Sequence, residues 1–281
     1  MNLDNVNMYM DKVVRSEEKI LIPDETKIKV GVDLGTAYIV IVVLDENDNP
    51  VACIKEPANV VRDGVVVDFV NASKIVGELK GKLESRLGFE LKECAIAMPS
   101  GTESSTKTHI YVAESAGFEV INVLDEPTAA NAVFNISNGV IIDIGGGTTG
   151  LAILKNGQVV SLADEATGGI HLSLVLAGNL NIPFDEAEKM KMDEQNHKKI
   201  FPIIRPVIEK MASIVEKYID KTQTDILYLC GGTCCMTGIE EIFEKQIGIP
   251  VIKPNNPFLI TPTGIAKSCI IHDGKDNALC N

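Results

Sequence analysis

Two aspartates, Asp33 and Asp143, each end an apolar run and stand just before a glycine turn. The first lies in Lys29-Val-Gly-Val-Asp-Leu-Gly-Thr36, the second in Gly139-Val-Ile-Ile-Asp-Ile-Gly-Gly-Gly-Thr148. Glycine in such a turn lets the backbone come close to a ligand, and successive N–H groups there cradle phosphate oxygens. Thr36 and Thr148 add hydroxyl donors. Two carboxylates would repel bare phosphates. They fit around a Mg²⁺ ion that keeps its waters and bridges phosphate oxygens, or they orient an attacking water. A single Asp-x-Gly hairpin also reads as an ordinary β-turn. Two of them, with a Gly231-Gly232 loop after a third buried strand, point to a phosphate-bearing ligand. No G-x-x-x-x-G-K-[ST] sequence occurs, and Gly145-Gly146-Gly147 opens a hairpin instead of a helix. Neither the P-loop nor the dinucleotide-binding solution is therefore in use.

The elements that must hold these turns follow from periodicity. Leu3, Val6, Met10 and Val13 recur at helical spacing, and Pro23 breaks the pattern, so residues 1–27 read as an amphipathic N-terminal appendage. Two uses stay open for it: packing on its own domain, or attachment to an assembly. Lys29–Thr36, Tyr38–Leu44 and Val51–Lys55 predict a three-stranded meander. Helices are expected over 72–88, 106–116 and 127–134, with a buried strand over 93–99. The opening pattern then returns at 139–148, 150–154 and 158–162. After it come helices at 169–180, 184–193 and 197–221, a strand at 225–230, a helix at 238–246 and a last helix at about 262–271. A duplication on this scale predicts two α/β lobes, 28–136 and 137–281, with a cleft between them and the last helix packing back toward the first.

Composition narrows the class. The chain has 281 residues, is 45% hydrophobic and carries a formal charge of −13. That charge argues against a nucleic-acid surface and against anionic membranes. No apolar run reaches the roughly 18 residues of a membrane span, and the N-terminus lacks a signal-peptide stretch. Seven cysteines without scaffold spacing fit reduced thiols and a cytoplasmic location. Cys230, Cys234 and Cys235 cluster, but zinc wants four ligands and no histidine is near. The alternative is small side chains lining a loop.

Several segments resemble one family. Ile141-Ile-Asp-Ile-Gly-Gly-Gly-Thr-Thr-Gly150 resembles the second phosphate motif of Hsp70, and Val32-Asp-Leu-Gly-Thr36 the first. Glu126-Pro-Thr-Ala-Ala130 is similar to the segment that follows the first lobe, Leu229-Cys-Gly-Gly-Thr233 to the adenosine motif, and Thr261-Pro-Thr-Gly-Ile-Ala-Lys267 to the second connecting helix. The compact whole chain resembles the EutJ family of ethanolamine utilization proteins, within the actin/Hsp70/sugar-kinase superfamily. The resemblance implies a two-lobed actin/Hsp70-like ATPase fold of duplicated ribonuclease-H-like domains with small outer subdomains. It implies ATP and Mg²⁺ as ligands, and a chaperone-like role toward ethanolamine ammonia-lyase or another protein of a bacterial microcompartment.

Carried over by motif, Asp33 and Asp143 are the catalytic carboxylates and hold Mg²⁺ mostly through water, while Glu126 positions the lytic water. Gly35, Thr36, Gly145, Gly146, Gly147 and Thr148 hold phosphates. Gly231, Gly232 and Thr233 line the adenosine side. Glu188 and Lys191, in Ala187-Glu-Lys-Met-Lys191, reach ribose or base; the plainer reading is a solvated i, i+3 ion pair. Met192 and Cys235 stand where Hsp70 places arginines on the adenine, which implies weak discrimination between ATP and GTP. His171 follows Gly168-Gly169 where the family has acids, and reads as a capping, core or catalytic residue. No peptide-binding domain is expected after the ATPase unit. Four functions compete: an ATPase switch acting on a partner enzyme, a filament-forming ATPase resembling MreB or FtsA, a small-molecule kinase, and a nucleotide-binding scaffold without hydrolysis.

Overall fold

The computed structural model describes residues 2–20, 27–98 and 105–270. The expected helix break at Pro23, the strand end at Pro99 and everything from residue 271 lie outside these.

Helix α1 (Leu3–Glu18) is capped by Asn2, whose side chain accepts from the Asp4 and Asn5 N–H groups. It leads to an antiparallel meander of β1 (Ile28–Leu34), β2 (Tyr38–Asp45) and β3 (Pro50–Pro57). A small hairpin, β4 (Val61–Arg62) and β5 (Val65–Val66), and helix α2 (Phe69–Leu87) follow. β6 (Glu93–Met98), α3 (Thr106–Ser115) and β7 (Glu119–Asp125) then extend the sheet in parallel, in the order β3-β2-β1-β6-β7. After α4 (Glu126–Phe134) the plan repeats. β8 (Gly139–Ile144), β9 (Thr149–Lys155) and β10 (Gln158–Glu165) form the second meander. Helices α5 (Gly169–Leu180), α6 (Phe184–Met192) and α7 (Glu194–Glu216) precede β11 (Leu227–Cys230), α8 (Ile239–Ile247) and β12 (Val251–Ile252). The second sheet runs β10-β9-β8-β11-β12, the same order as the first. Helix α9 (Ile260–Lys267) closes the described chain.

The inner strands of the two meanders, β1, β2, β8 and β9, are apolar because both of their faces are largely buried. On β2, Ile39, Ile41 and Val43 join Val76, Leu79 and Leu83 under α2, while Val40, Val42 and Leu44 join Phe134, Ile141 and Tyr228 between the sheets. Alternation disappears from such a strand, and it reads as one continuous run. The second lobe has its own core, in which Ile142, Leu151 and Leu172 meet Ile204, Ile208 and Phe243. Helix α7 starts three residues before the expected 197, because the Asp193 side chain accepts from the Gln195 N–H, and it continues through Pro202 and Pro206.

Helix α1 packs along β3 and adds Val6, Met10 and Val13 to the core between the sheets. Its apolar stripe is thus covered by its own chain. Burying side chains of this size contributes about 1.5–3 kcal/mol each. Deleting residues 1–19 is expected to lower the melting temperature by about 10 °C or more, at about 2–4 °C per kcal/mol. Unchanged melting in differential scanning calorimetry would show that α1 adds nothing to the fold.

Candidate functional site

The two meanders turn their glycine hairpins toward one another, and a cleft of about 420 Å³ opens between them. The residues carried over by motif all line it: Asp33, Gly35, Thr36, Glu126, Asp143, Gly145, Gly146, Gly147, Thr148, Glu188, Lys191, Gly231, Gly232 and Thr233; His171 and Cys230 do not.

The cleft floor is acidic. Asp33 sits near the end of β1, and Asp143 sits near the end of β8, between Gly150 on β9 and Cys230 on β11. Glu126 opens α4, whose first turn is fixed by the Asp125 side chain accepting from the Thr128 N–H. Burial pushes the Asp33 carboxyl up to about 7, and the charge of Asp143 adds to the effect. Glu126 is raised well above the carboxylate range, first by burial and then by Asp143 and Asp33. Asp143 is raised by burial and drawn partly back by hydrogen bonds from Thr261 and Cys230. Three buried carboxyls, two of them raised further by the charge of Asp143, are a set that a divalent cation would relieve. Among the described residues, no group of three His, Cys, Asp or Glu side chains is placed to ligate a metal directly. The all-oxygen, acidic floor fits Mg²⁺ held through its waters and through a ligand's phosphates.

The sign of the pH effect follows. Asp33 keeps its proton in the fold up to about pH 7, whereas its ordinary value is 3.8. Between those values the folded state binds more protons than the unfolded chain, so stability falls as pH rises through the window and levels off above it. Melting curves of the metal-free protein should show this decline, with added Mg²⁺ restoring part of the loss at pH 8. A melting temperature that climbs from pH 4 to 7 would contradict the placement of Asp33.

The glycine turns are braced by their own main chain. The Gly145 N–H donates to Thr148 O at 3.0 Å, while Gly169 and Ile170 donate to the carbonyls of Gly145 and Gly146 at 3.0 and 2.9 Å. The Thr233 hydroxyl also donates to Gly145 O, at 2.7 Å. A Cβ at Gly146 would lie 3.4 Å from Thr36 and Ala37, so the two hairpins stand in near contact across the cleft. Gly231, at φ 90°, passes so close to Asp143 that a Cβ there would fall 2.3 Å from its Oδ1. That position demands glycine twice over.

At the other end, Lys191 donates to Glu188 Oε2 at 2.8 Å and to Gly169 O at 3.0 Å, and the Ser173 hydroxyl donates to the same Glu188 oxygen. This is a largely buried network tied to the backbone, unlike a solvated ion pair. Met192 and Cys235 also line the cleft. Tyr38 and Phe258, which the sequence reading did not name as site residues, stand beside them with ring centroids 5.4 Å apart, edge to face. Lys55 Nζ lies 5.7 Å from the centre of the Phe258 ring. The available signal was the scarcity of aromatics: a Phe after Pro257 in a loop is not needed for a strand or helix core. His171 Nδ1 accepts from the Gly168 N–H at 3.3 Å and so caps α5. Burial raises the thiols of Cys230 and Cys234, which are enclosed and therefore inert, whereas Cys235 is exposed in the cleft.

Known proteins share this arrangement. The family model described as cell division protein FtsA matches residues 140–267, and that of MreB/Mbl protein matches residues 56–192. The ethanolamine utilization protein EutJ of Salmonella typhimurium is 44% identical over 245 residues, covering 87% of this chain and 86% of the relative. The crystal structure of EutJ from Carboxydothermus hydrogenoformans superposes with a TM-score of 0.87 at 45% identity, over 95% of this chain and 99% of that one. MreB 5 of Spiroplasma citri, bound to AMPPNP, superposes with a TM-score of 0.69 at 19% identity, over 86% and 95%. Two duplicated α/β units facing one cleft are the fold of the actin-like ATPases. Within that class, the chain belongs to the EutJ family of ethanolamine utilization proteins.

Proposed function

We propose that the protein binds ATP with Mg²⁺ in this cleft, hydrolyses it slowly and uses the cycle to act, chaperone-like, on a partner enzyme. Ethanolamine ammonia-lyase of a bacterial microcompartment is the candidate partner. The observation that carries the reading is the convergence of Asp33, Asp143 and Glu126 between two opposed glycine hairpins. Asp33 and Asp143 would hold the ion through its waters, and a bound Mg²⁺ would offset charge on the phosphates. Glu126, raised and enclosed, positions the attacking water by accepting its hydrogen. Gly35, Thr36 and the turn of Gly145, Gly146 and Gly147 hold the phosphates, with Thr148 beside them. Glu188, Lys191, Gly231, Gly232 and Thr233 take ribose and base. Lobe rotation about the cleft is what a partner would read.

Phosphate release by the purified protein, with and without ethanolamine ammonia-lyase, tests this. Slow, Mg²⁺-dependent release that the lyase alters is the expected result. No release in either case overturns hydrolysis; release indifferent to the lyase overturns that partner. The matches to the FtsA and MreB/Mbl models favour a second reading, a filament-forming ATPase. Sedimentation that depends on ATP would establish it.

A further inference from the structure

His197, near the start of α7, is buried and lines the cleft. Its ring is held at both nitrogens. Nδ1 accepts from the Thr237 N–H at 3.2 Å and lies 3.0 Å from the Thr237 hydroxyl oxygen, while Nε2 lies 2.9 Å from the carbonyl oxygen of Lys191. A backbone N–H only donates and a carbonyl only accepts. Nδ1 therefore carries no hydrogen, Nε2 carries one, and the imidazole is fixed as a single neutral tautomer.

The two partners belong to two walls of the cleft. Lys191 is the penultimate residue of α6, and its carbonyl is among those that a helix end leaves without an intrahelical donor. Thr237 ends the loop that runs from Gly231 through the short turn Gly232–Cys235. That loop is pinned at its start, where the Gly231 N–H donates to Pro257 O at 3.0 Å, and again where Lys253 donates to Met236 O at 3.2 Å. His197 ties its end to α6. Glu188, Lys191 and Met192 face the cleft from the helix, and Gly232, Cys235 and Met236 face it from the loop. We propose that His197 is a positioning residue for a nucleobase: it fixes the spacing of the α6 wall and the loop wall, between which the base of a nucleotide lies. Its hydrogen bonds run to these walls, away from the glycine hairpins and the acidic floor. The proposal rests on the nucleotide reading and concerns the base end of it alone.

Titration of ADP and of inorganic pyrophosphate, both in Mg²⁺, tests the role on the wild-type protein, His197→Ala, His197→Gln and His197→Asn. Pyrophosphate reports the phosphate end by itself. One hydrogen bond is worth up to about tenfold in an equilibrium, so His197→Ala should lose about tenfold or more in ADP affinity and keep its pyrophosphate affinity within about twofold. Glutamine can place an amide N–H near the site of Nε2, and asparagine an amide oxygen near that of Nδ1. Each keeps one of the two ties and should lose less than alanine does, again for ADP alone. Equal losses for ADP and pyrophosphate mark a purely structural residue and overturn the proposal, as does failure of all three variants to fold. Unchanged ADP affinity overturns it too, and so does an ADP loss that neither amide recovers, because the hydrogen bonds are then not its cause. A wild-type protein that binds pyrophosphate but not ADP has no base slot for His197 to hold. One that binds neither overturns the nucleotide reading together with this proposal.

Discussion

Asp143→Asn is expected to lower the rate of phosphate release by about 100-fold or more while leaving the fold intact. Asn keeps the shape and can still accept from Thr261, so the link between β8 and α9 survives. The buried negative charge is lost, and with it the cleft's strongest claim on a divalent cation. That charge acts on metal or water in the reaction, where such groups contribute about 10² or more in rate. The metal-free variant should melt no lower than the wild-type protein, since Asp143 is raised by burial and its charge also raises Glu126 and Asp33. Phosphate release and melting measured on one preparation decide the matter: an unchanged rate in a folded variant removes Asp143 from the chemistry.

The second large effect concerns Gly264, at the crossing of α9 over α4. A Cβ there would fall 1.8 Å from the carbonyl oxygen of Ala129. The obstacle is backbone, so no rotamer change relieves it, and α9 must move off α4. Helix α4 opens with Glu126, and α9 carries Thr261, the donor to Asp143; both therefore shift with the crossing. Overpacking of this kind costs about 3 kcal/mol or more. Gly264→Val should lower the melting temperature by about 10 °C and weaken nucleotide binding together with it. Gly81→Ala is the control: α2 has open space around that position, and the change should stabilise slightly. Melting of the two variants that differs by less than 2 °C, on the order of 1 kcal/mol, would mean that α4 and α9 yield freely to each other.

The parts of this fold that sequence makes legible are those in which local chemistry and tertiary role coincide. The Asp33 and Asp143 hairpins combine apolar strands with glycine turns, and both strands and turns are where those residues suggest. Edge elements are less visible. β7 is only half-buried along its length, so Glu119–Asp125 shows neither a continuous apolar run nor clean alternation. β4 and β5 are two residues each, too short for a period to develop. Phe258 and Tyr38 come from distant parts of the chain and become neighbours only when α9 docks near the first meander.

The central claim is that an acidic floor and paired glycine hairpins hold a nucleotide through a divalent cation. Calorimetric titration of the purified protein with ATP, first in Mg²⁺ and then in EDTA, tests it most directly. Binding at least about tenfold tighter in Mg²⁺, a difference of about 1.4 kcal/mol, is the expected result. Equal affinity in the two buffers, or tighter binding in EDTA, would contradict it.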